Sequence, residues 1–159
     1  MYIKIDGKQN NLRFSAAHFI PTIEKCSRLH GHDYSVSLKV TGDPVDGILI
    51  DYGIVKQVLR KLIEEIDHKV IVPKSSKFSN VKKTSESYEV EYGGKSYVFP
   101  AVDVFELDAD FSSSESMCRI MCNRIGERLK SYSNLQKLSV CLYEGPGQSA
   151  CIELNLNDR

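Results

Sequence analysis

The sequence predicts an α+β fold in which antiparallel strands carry two helices on one face. Three observations lead there. Apolar and polar residues alternate near both ends of the chain, as in half-buried strands. Two internal stretches repeat instead at helical spacing. Short, turn-rich connections join consecutive strands, and a short turn suits antiparallel pairing. The element order is strand-strand, helix, inserted hairpin, helix, strand-strand.

Residues 2–19 read as extended chain with an early reversal at the turn dipeptide Asp6-Gly7. Leu12, Phe14, Ala16 and His18 share one face of the strand that follows. Pro21 ends it, and residues 20–29 form a loop that holds Cys26. In the next strand Tyr34, Val36, Leu38 and Val40 share a face, and period two also puts His30 and His32 on one face. Ile48-Leu-Ile50, beyond a turn-rich stretch, is expected to be a short strand paired with it. Asp51 is the N-cap of a helix over 52–65, with Ile54, Val55, Val58, Leu59, Leu62 and Ile66 at helical spacing. Asp67-His68 stands at its end.

Segment 73–110 is an insertion. It holds a β-hairpin around 86–100, because Gly93-Gly94 permits the positive φ of a tight turn. Val102 to Leu107 is a further short strand. Ser112-Ser-Ser-Glu115 has the capping-box pattern and starts a helix reaching about Tyr132. Met117, Ile120, Met121, Ile125 and Leu129 face inward from it. Leu138, Val140 and Leu142 mark a strand ending at Glu144, and Ala150 to Leu156 mark the last one.

The chain has 159 residues, enough for one domain with a real core. Lys+Arg and Asp+Glu are both 21, so no bulk positive charge draws it to nucleic acid. No apolar run reaches the ~18 residues of a membrane span, and the first residues lack a signal-peptide core. A cytoplasmic protein with no membrane or nucleic-acid partner is expected. The five cysteines are odd in number and lack a C-x-x-C, which argues against a disulfide framework. Cys118, Cys122, Cys141 and Cys151 read as small buried apolar residues.

The chemistry concentrates in Cys26-Ser-Arg-Leu-His-Gly-His32. His30 and His32 on one strand face can chelate a zinc ion together, and His18 on a neighbouring strand can complete the set. Three neutral ligands leave an open, catalytic position. Cys26 as a fourth ligand would close the site and make it structural; spacing alone leaves both readings standing. Asp67 can fix the tautomer of His68, and such an imidazole can activate a thiol; a helix-terminal histidine would look the same. Glu144, at a strand end, can accept two N–H bonds from a guanidine-like ring edge, or be an ordinary strand-end carboxylate.

Taken together and in order, several pieces resemble the 6-pyruvoyltetrahydropterin synthase / 6-carboxytetrahydropterin synthase family. They are Phe14-Ser-Ala-Ala-His18, the Cys26-to-His32 stretch, Gly47-Ile-Leu-Ile-Asp-Tyr52, Ile66-Asp-His68, Ser113-Ser-Glu115 and Leu142-Tyr-Glu144. The resemblance implies a tunnelling fold: a four-stranded antiparallel sheet with two helices, ββααββ, in a single domain over 1–159. It implies homo-oligomers, as trimers or as hexamers of two stacked trimers, with sites between subunits. His18, His30 and His32 match the zinc ligands. Cys26 matches the catalytic base, with Asp67 and His68 as a relay reaching in from a neighbouring subunit. Glu144 matches the pterin anchor, and Ser113, Ser114 and Glu115 a pocket-lining Thr-Thr-Glu.

The implied substrate is 7,8-dihydroneopterin triphosphate. Two products are in question. 6-Carboxy-5,6,7,8-tetrahydropterin forms with loss of acetaldehyde and triphosphate, toward the 7-deazaguanine bases queuosine and archaeosine. 6-Pyruvoyltetrahydropterin forms by triphosphate elimination. Cys26 precedes His30-Gly-His32 by three intervening residues, a spacing similar to the carboxy branch. A further branch, toward folate precursors, has Glu where this chain has Cys26. A non-catalytic, zinc-containing pterin-binding protein on the same fold is the remaining alternative.

Overall fold

The computed structural model describes residues 1–157. Strand β3 (His30–Gly42) is the axis of the sheet. Its even-numbered side chains Tyr34, Val36, Leu38 and Val40 are all buried. On one edge it pairs with β9 (Leu135–Glu144), which pairs in turn with β10 (Ser149–Asn155). On the other edge β1 (Tyr2–Ile5) and β2 (Arg13–His18) follow one another. All of these pairings are antiparallel, and β1 and β2 together occupy a single place beside β3, so the expected four-strand antiparallel core is present.

Two further strands extend the sheet. β4 (Lys69–Pro73) lies parallel to β2, and β8 (Val104–Leu107) lies parallel to β4. Parallel neighbours need a long crossover. The connection from β4 to β8 is the insertion, which forms its own three-stranded sheet from β5 (Asn80–Lys83), β6 (Ser87–Tyr92) and β7 (Lys95–Pro100). Gly93 and Gly94, at φ 53° and 74°, make the expected turn between β6 and β7.

Both helices pack on the even-numbered face of the sheet. Asp51 caps α1 (Tyr52–Ile66) by accepting from the Gly53 and Ile54 N–H groups. Val55, Leu59, Leu62, Ile63 and Ile66 enter the core from α1. Met117, Cys118, Met121, Cys122, Ile125 and Leu129 do so from α2 (Ser114–Leu129), so Cys118 and Cys122 are small buried residues as expected. A second cluster, built on Phe19, Val72, Tyr88, Val90 and Tyr92, joins the insertion to the body. Among the described residues no helix is long and apolar enough to cross a membrane.

Three expectations are corrected. Asp6-Gly7 does not reverse the chain. β1 and β2 run the same way along β3, and residues 6–12 bulge out between them, closed by Leu12 N–H donating to Gly7 O at 2.8 Å. Ile48-Leu-Ile50 is not a strand, because both edges of β3 are already taken; Leu49 and Ile50 are buried from a loop instead. Cys141 and Cys151 are not buried apolar residues. They stand directly opposite one another on β9 and β10, on the face turned away from the helices, and form a disulfide.

The bulge explains Gly7. A Cβ there would lie 2.1 Å from the Val36 carbonyl oxygen, and the Gly7 N–H donates to Ser37 Oγ at 2.9 Å. The Val36 contact is with backbone and cannot relax without moving β3. Gly7→Ala is therefore expected to lower unfolding free energy by at least ~1–3 kcal/mol, the usual cost of overpacking. A shift of the urea midpoint measures it, and an unchanged midpoint contradicts this account of the bulge.

Candidate metal centre

The antiparallel register of β2 and β3 places His18 opposite His30 and Ala16 opposite His32. The three histidines share the even-numbered face and lie at the end of the sheet. Their ring centroids are 4.5 Å (His18–His30), 5.2 Å (His18–His32) and 5.0 Å (His30–His32) apart. One ring nitrogen from each lies within 4.8 Å of the other two.

Backbone carbonyls fix two of these rings. His18 Nδ1 donates to Ser112 O at 2.6 Å, and His30 Nδ1 donates to Arg28 O at 2.7 Å. A carbonyl only accepts, so Nδ1 carries the proton and Nε2 carries the lone pair, the usual support of a metal-ligating histidine. Burial pushes the His18 pKa below its ordinary 6.5, and His30 and His32 push the same way against the Ser112 carbonyl and Glu144. His18 Nε2 is itself buried without a hydrogen-bond partner. It lies 3.4 Å from Glu144 Oε1, so two acceptors face one another with no proton between them. An orphaned lone pair facing two more imidazoles fits a divalent cation of the zinc type.

The sign of the pH effect follows. The folded chain disfavours protonated His18, whereas the unfolded chain protonates it near pH 6.5. Metal-free protein is therefore expected to lose stability as pH falls below about 6.5, and metal binding to weaken over the same range. Urea titrations of metal-free protein at pH 7.5 and 5.5 check this, and equal midpoints contradict it.

Cys26 is not among the clustered ligands. It lines a cavity of about 350 Å³ together with Ile20, Phe111, Ser113, Ser114, Glu115 and Glu144. A second cavity of about 580 Å³ shares Ser114, Glu115 and Glu144 and continues along β10. The two carboxylates thus border both spaces. The Glu115 carboxyl is held below its ordinary range, first by its own backbone N–H and then by the Ser113 hydroxyl. Glu144 is opposite Tyr34 in the β3–β9 register, and its Oε1 accepts the Tyr34 hydroxyl at 2.9 Å. Burial, then Glu144, raises the Tyr34 pKa, so this hydroxyl stays a donor.

Asp67 and His68 line neither of these two cavities. The Ser15 N–H donates to Asp67 Oδ1 at 2.9 Å, and Asp67 Oδ2 is 3.0 Å from His68 Nδ1. The slight burial of Asp67 raises its pKa, but the Ser15 N–H and His68 outweigh this and hold it low. His68 has φ 60° and an 83% exposed side chain, and it borders an open depression with Ser15, Gly31, His32 and Lys69. It does not line the Cys26 cavity.

The geometry agrees with comparison to known proteins. The family described as 6-pyruvoyl tetrahydropterin synthase matches residues 9–155. The chain belongs to this family. A Methanocaldococcus jannaschii protein provisionally named 6-carboxy-5,6,7,8-tetrahydropterin synthase is 31% identical over 95% of both chains. The Bacillus subtilis 6-carboxy-5,6,7,8-tetrahydropterin synthase is 42% identical over 53 residues, covering 31% of this chain and 36% of its own. Among solved structures, Plasmodium falciparum 6-pyruvoyl tetrahydropterin synthase has a TM-score of 0.88 at 28% identity, covering 98% of each chain. A catalytic-residue mutant of the Plasmodium vivax enzyme matches equally, with the same score, identity and coverage. The chain is thus a pterin synthase family enzyme with the α+β tunnelling fold of these structures.

Two contributors escaped the sequence reading. The capping box was placed one residue early: Ser113, not Ser112, is the N-cap of α2 and accepts from Ser116 N–H. Ser112 is fully buried instead, and its Oγ donates to Phe19 O at 2.7 Å while its carbonyl holds His18. It ties the start of α2 to the end of β2. Ser112→Ala orphans the Phe19 carbonyl, with an expected cost of ~1–3 kcal/mol and a loss of about tenfold in metal affinity. Metal titration of the variant reads this out, and unchanged affinity would show that the Ser112 hydroxyl does not help to place the carbonyl that holds His18. The second contributor, Tyr34, continues the parity of His30 and His32 but reads from sequence only as a core residue, because its bond to Glu144 needs the β3–β9 register.

Proposed function

We propose that the protein is a zinc-dependent carbon-carbon lyase. It converts 7,8-dihydroneopterin triphosphate and water to 6-carboxy-5,6,7,8-tetrahydropterin, acetaldehyde and triphosphate, a step toward 7-deazaguanine bases. The observation that carries this is the meeting of three metal-ready imidazoles with Glu144, a carboxylate that also lines the Cys26 cavity. Supporting it are relatives named for this activity and the C-x3-H-G-H spacing. The enzyme acts in the cytoplasm as a trimer or a hexamer of stacked trimers.

Zinc held by His18, His30 and His32 supplies an open coordination position and Lewis-acid polarisation of the substrate's side-chain hydroxyls. The chain's own residues do the rest. Glu144, oriented by Tyr34, accepts N–H bonds from the guanidine-like edge of the pterin. Glu115 and the hydroxyls of Ser113 and Ser114 line the same space. Cys26, acting as the base, removes a proton from the substrate side chain. His68, oriented by Asp67 and presented by a neighbouring subunit, relays protons; its exposure and its absence from the lining of the Cys26 cavity in one chain suit that arrangement.

Incubation with 7,8-dihydroneopterin triphosphate and identification of the products tests the assignment. The Plasmodium neighbours favour a second reading, in which triphosphate elimination yields 6-pyruvoyltetrahydropterin. In the P. vivax enzyme, however, a glutamate is the catalytic residue. Here the candidate base is a thiol.

A further inference from the structure

The inserted hairpin reaches the loop that carries Cys26. The Gly93-Gly94 turn sets Tyr92 and Lys95 directly across from one another at the hairpin tip. Both donate to one acceptor. Tyr92 Oη lies 2.8 Å and Lys95 Nζ 2.7 Å from the Ser27 carbonyl oxygen. Lys95 also donates to Ser27 Oγ at 3.0 Å, while that hydroxyl donates to Glu24 O. The Tyr92 ring is buried and stacks on Phe19, the first residue after β2, at 4.4 Å and 6°.

Ser27 stands between two residues of the site. Before it is Cys26, whose carbonyl accepts from Ile20 N–H at 2.7 Å. After it is Arg28, whose carbonyl orients His30. Across the base of the loop Ser27 N–H bonds Ile23 O, and among the described residues the other hydrogen bonds of residues 20–28 are short-range, the hairpin's two donors excepted. A carbonyl that accepts from a phenol and an ammonium at once is held in direction as well as position.

We propose that Tyr92 and Lys95 are positioning residues that fix the Cys26 thiol against the pterin cavity by clamping the Ser27 carbonyl. This gives the 73–110 insertion a role, and it rests on the reading of Cys26 as the catalytic base. Displacement of a reacting group by about 1 Å can cost ~100-fold in rate. Freeing the loop also exposes a thiol that is now half-buried. Cys118 and Cys122 are buried and Cys141 and Cys151 are paired, so alkylation reports on Cys26.

The test uses the full chain carrying Tyr92→Phe and Lys95→Met together. The phenylalanine keeps the stacking on Phe19 and removes only the donor. Expected are a kcat lowered about 10- to 100-fold, KM and metal content at wild-type values, and Cys26 alkylation by iodoacetamide accelerated about 5- to 30-fold, the effect of losing one or two hydrogen bonds. Lys95→Arg, which keeps a donor, retains wild-type behaviour. If the double variant does not fold, Tyr92→Phe alone supplies the same readings. Wild-type kcat in the variant overturns the proposal. If the wild-type protein itself does not turn over the pterin, the catalytic reading fails, and the alkylation rate alone decides: accelerated, the hairpin positions the thiol; unchanged, it does not.

Discussion

In His30→Ala, metal content is expected to fall to background while the fold persists. The expectation comes from the geometry around each ring. His18 is 2% exposed and bonded to the buried Ser112, so its loss would disturb the junction of β2 and α2. His30 is half-buried, and its Nδ1 bonds only the Arg28 carbonyl, a group that water can satisfy. Removing it leaves two imidazoles, too few for tight zinc binding. Loss of a supporting partner alone costs about 10–100-fold in metal affinity; loss of a ligand costs more. Metal analysis after gel filtration, with a urea midpoint alongside, gives the answer. A variant that retains its metal would remove His30 from the ligand set.

Cys26→Ala is expected to do the opposite: to keep the metal and lose turnover. Cys26 stands outside the histidine cluster and lines the adjoining cavity. A base positioned on the substrate contributes about 10²–10⁴-fold, and a fall in kcat of that size is predicted. The residual rate comes from binding and orientation by groups that remain. The same variant separates the open site from the closed one that spacing alone allowed. If the sulfur were the fourth ligand, removing it would weaken metal binding together with activity. Loss of metal in Cys26→Ala therefore speaks for a structural centre, and normal turnover speaks against the lyase reading altogether.

Much of this arrangement was legible because periodicity carries direction. Parity along β3 put His30 and His32 on the face of Tyr34 and Val36, and the same counting on β2 added His18. Asp51 and the helical spacing after it defined α1 for the same local reason. What failed depended on partners remote in sequence. Asp6-Gly7 has the composition of a reversal, but β3 offers its edge to both β1 and β2, so the chain bulges and continues. Ile48-Leu-Ile50 has the composition of a strand with no free edge to join. Lys69-Val-Ile-Val-Pro73 forms β4, a strand not among those expected from the sequence, because its parallel pairing depends on the crossover through α1. Cys141 and Cys151 share the odd parity of their strands, which pointed away from the core; only the β9–β10 register shows that they meet. Ser112 acts through its carbonyl, which no side-chain pattern reports.

The measurement that tests the central claim most directly is product analysis of the wild-type protein, loaded with zinc and given 7,8-dihydroneopterin triphosphate. Three metal-ready imidazoles beside Glu144, and the Cys26 thiol on the cavity that Glu144 also lines, predict acetaldehyde released in step with 6-carboxy-5,6,7,8-tetrahydropterin. A pyruvoyl product without acetaldehyde contradicts the lyase assignment, and no product of either kind contradicts catalysis at this site.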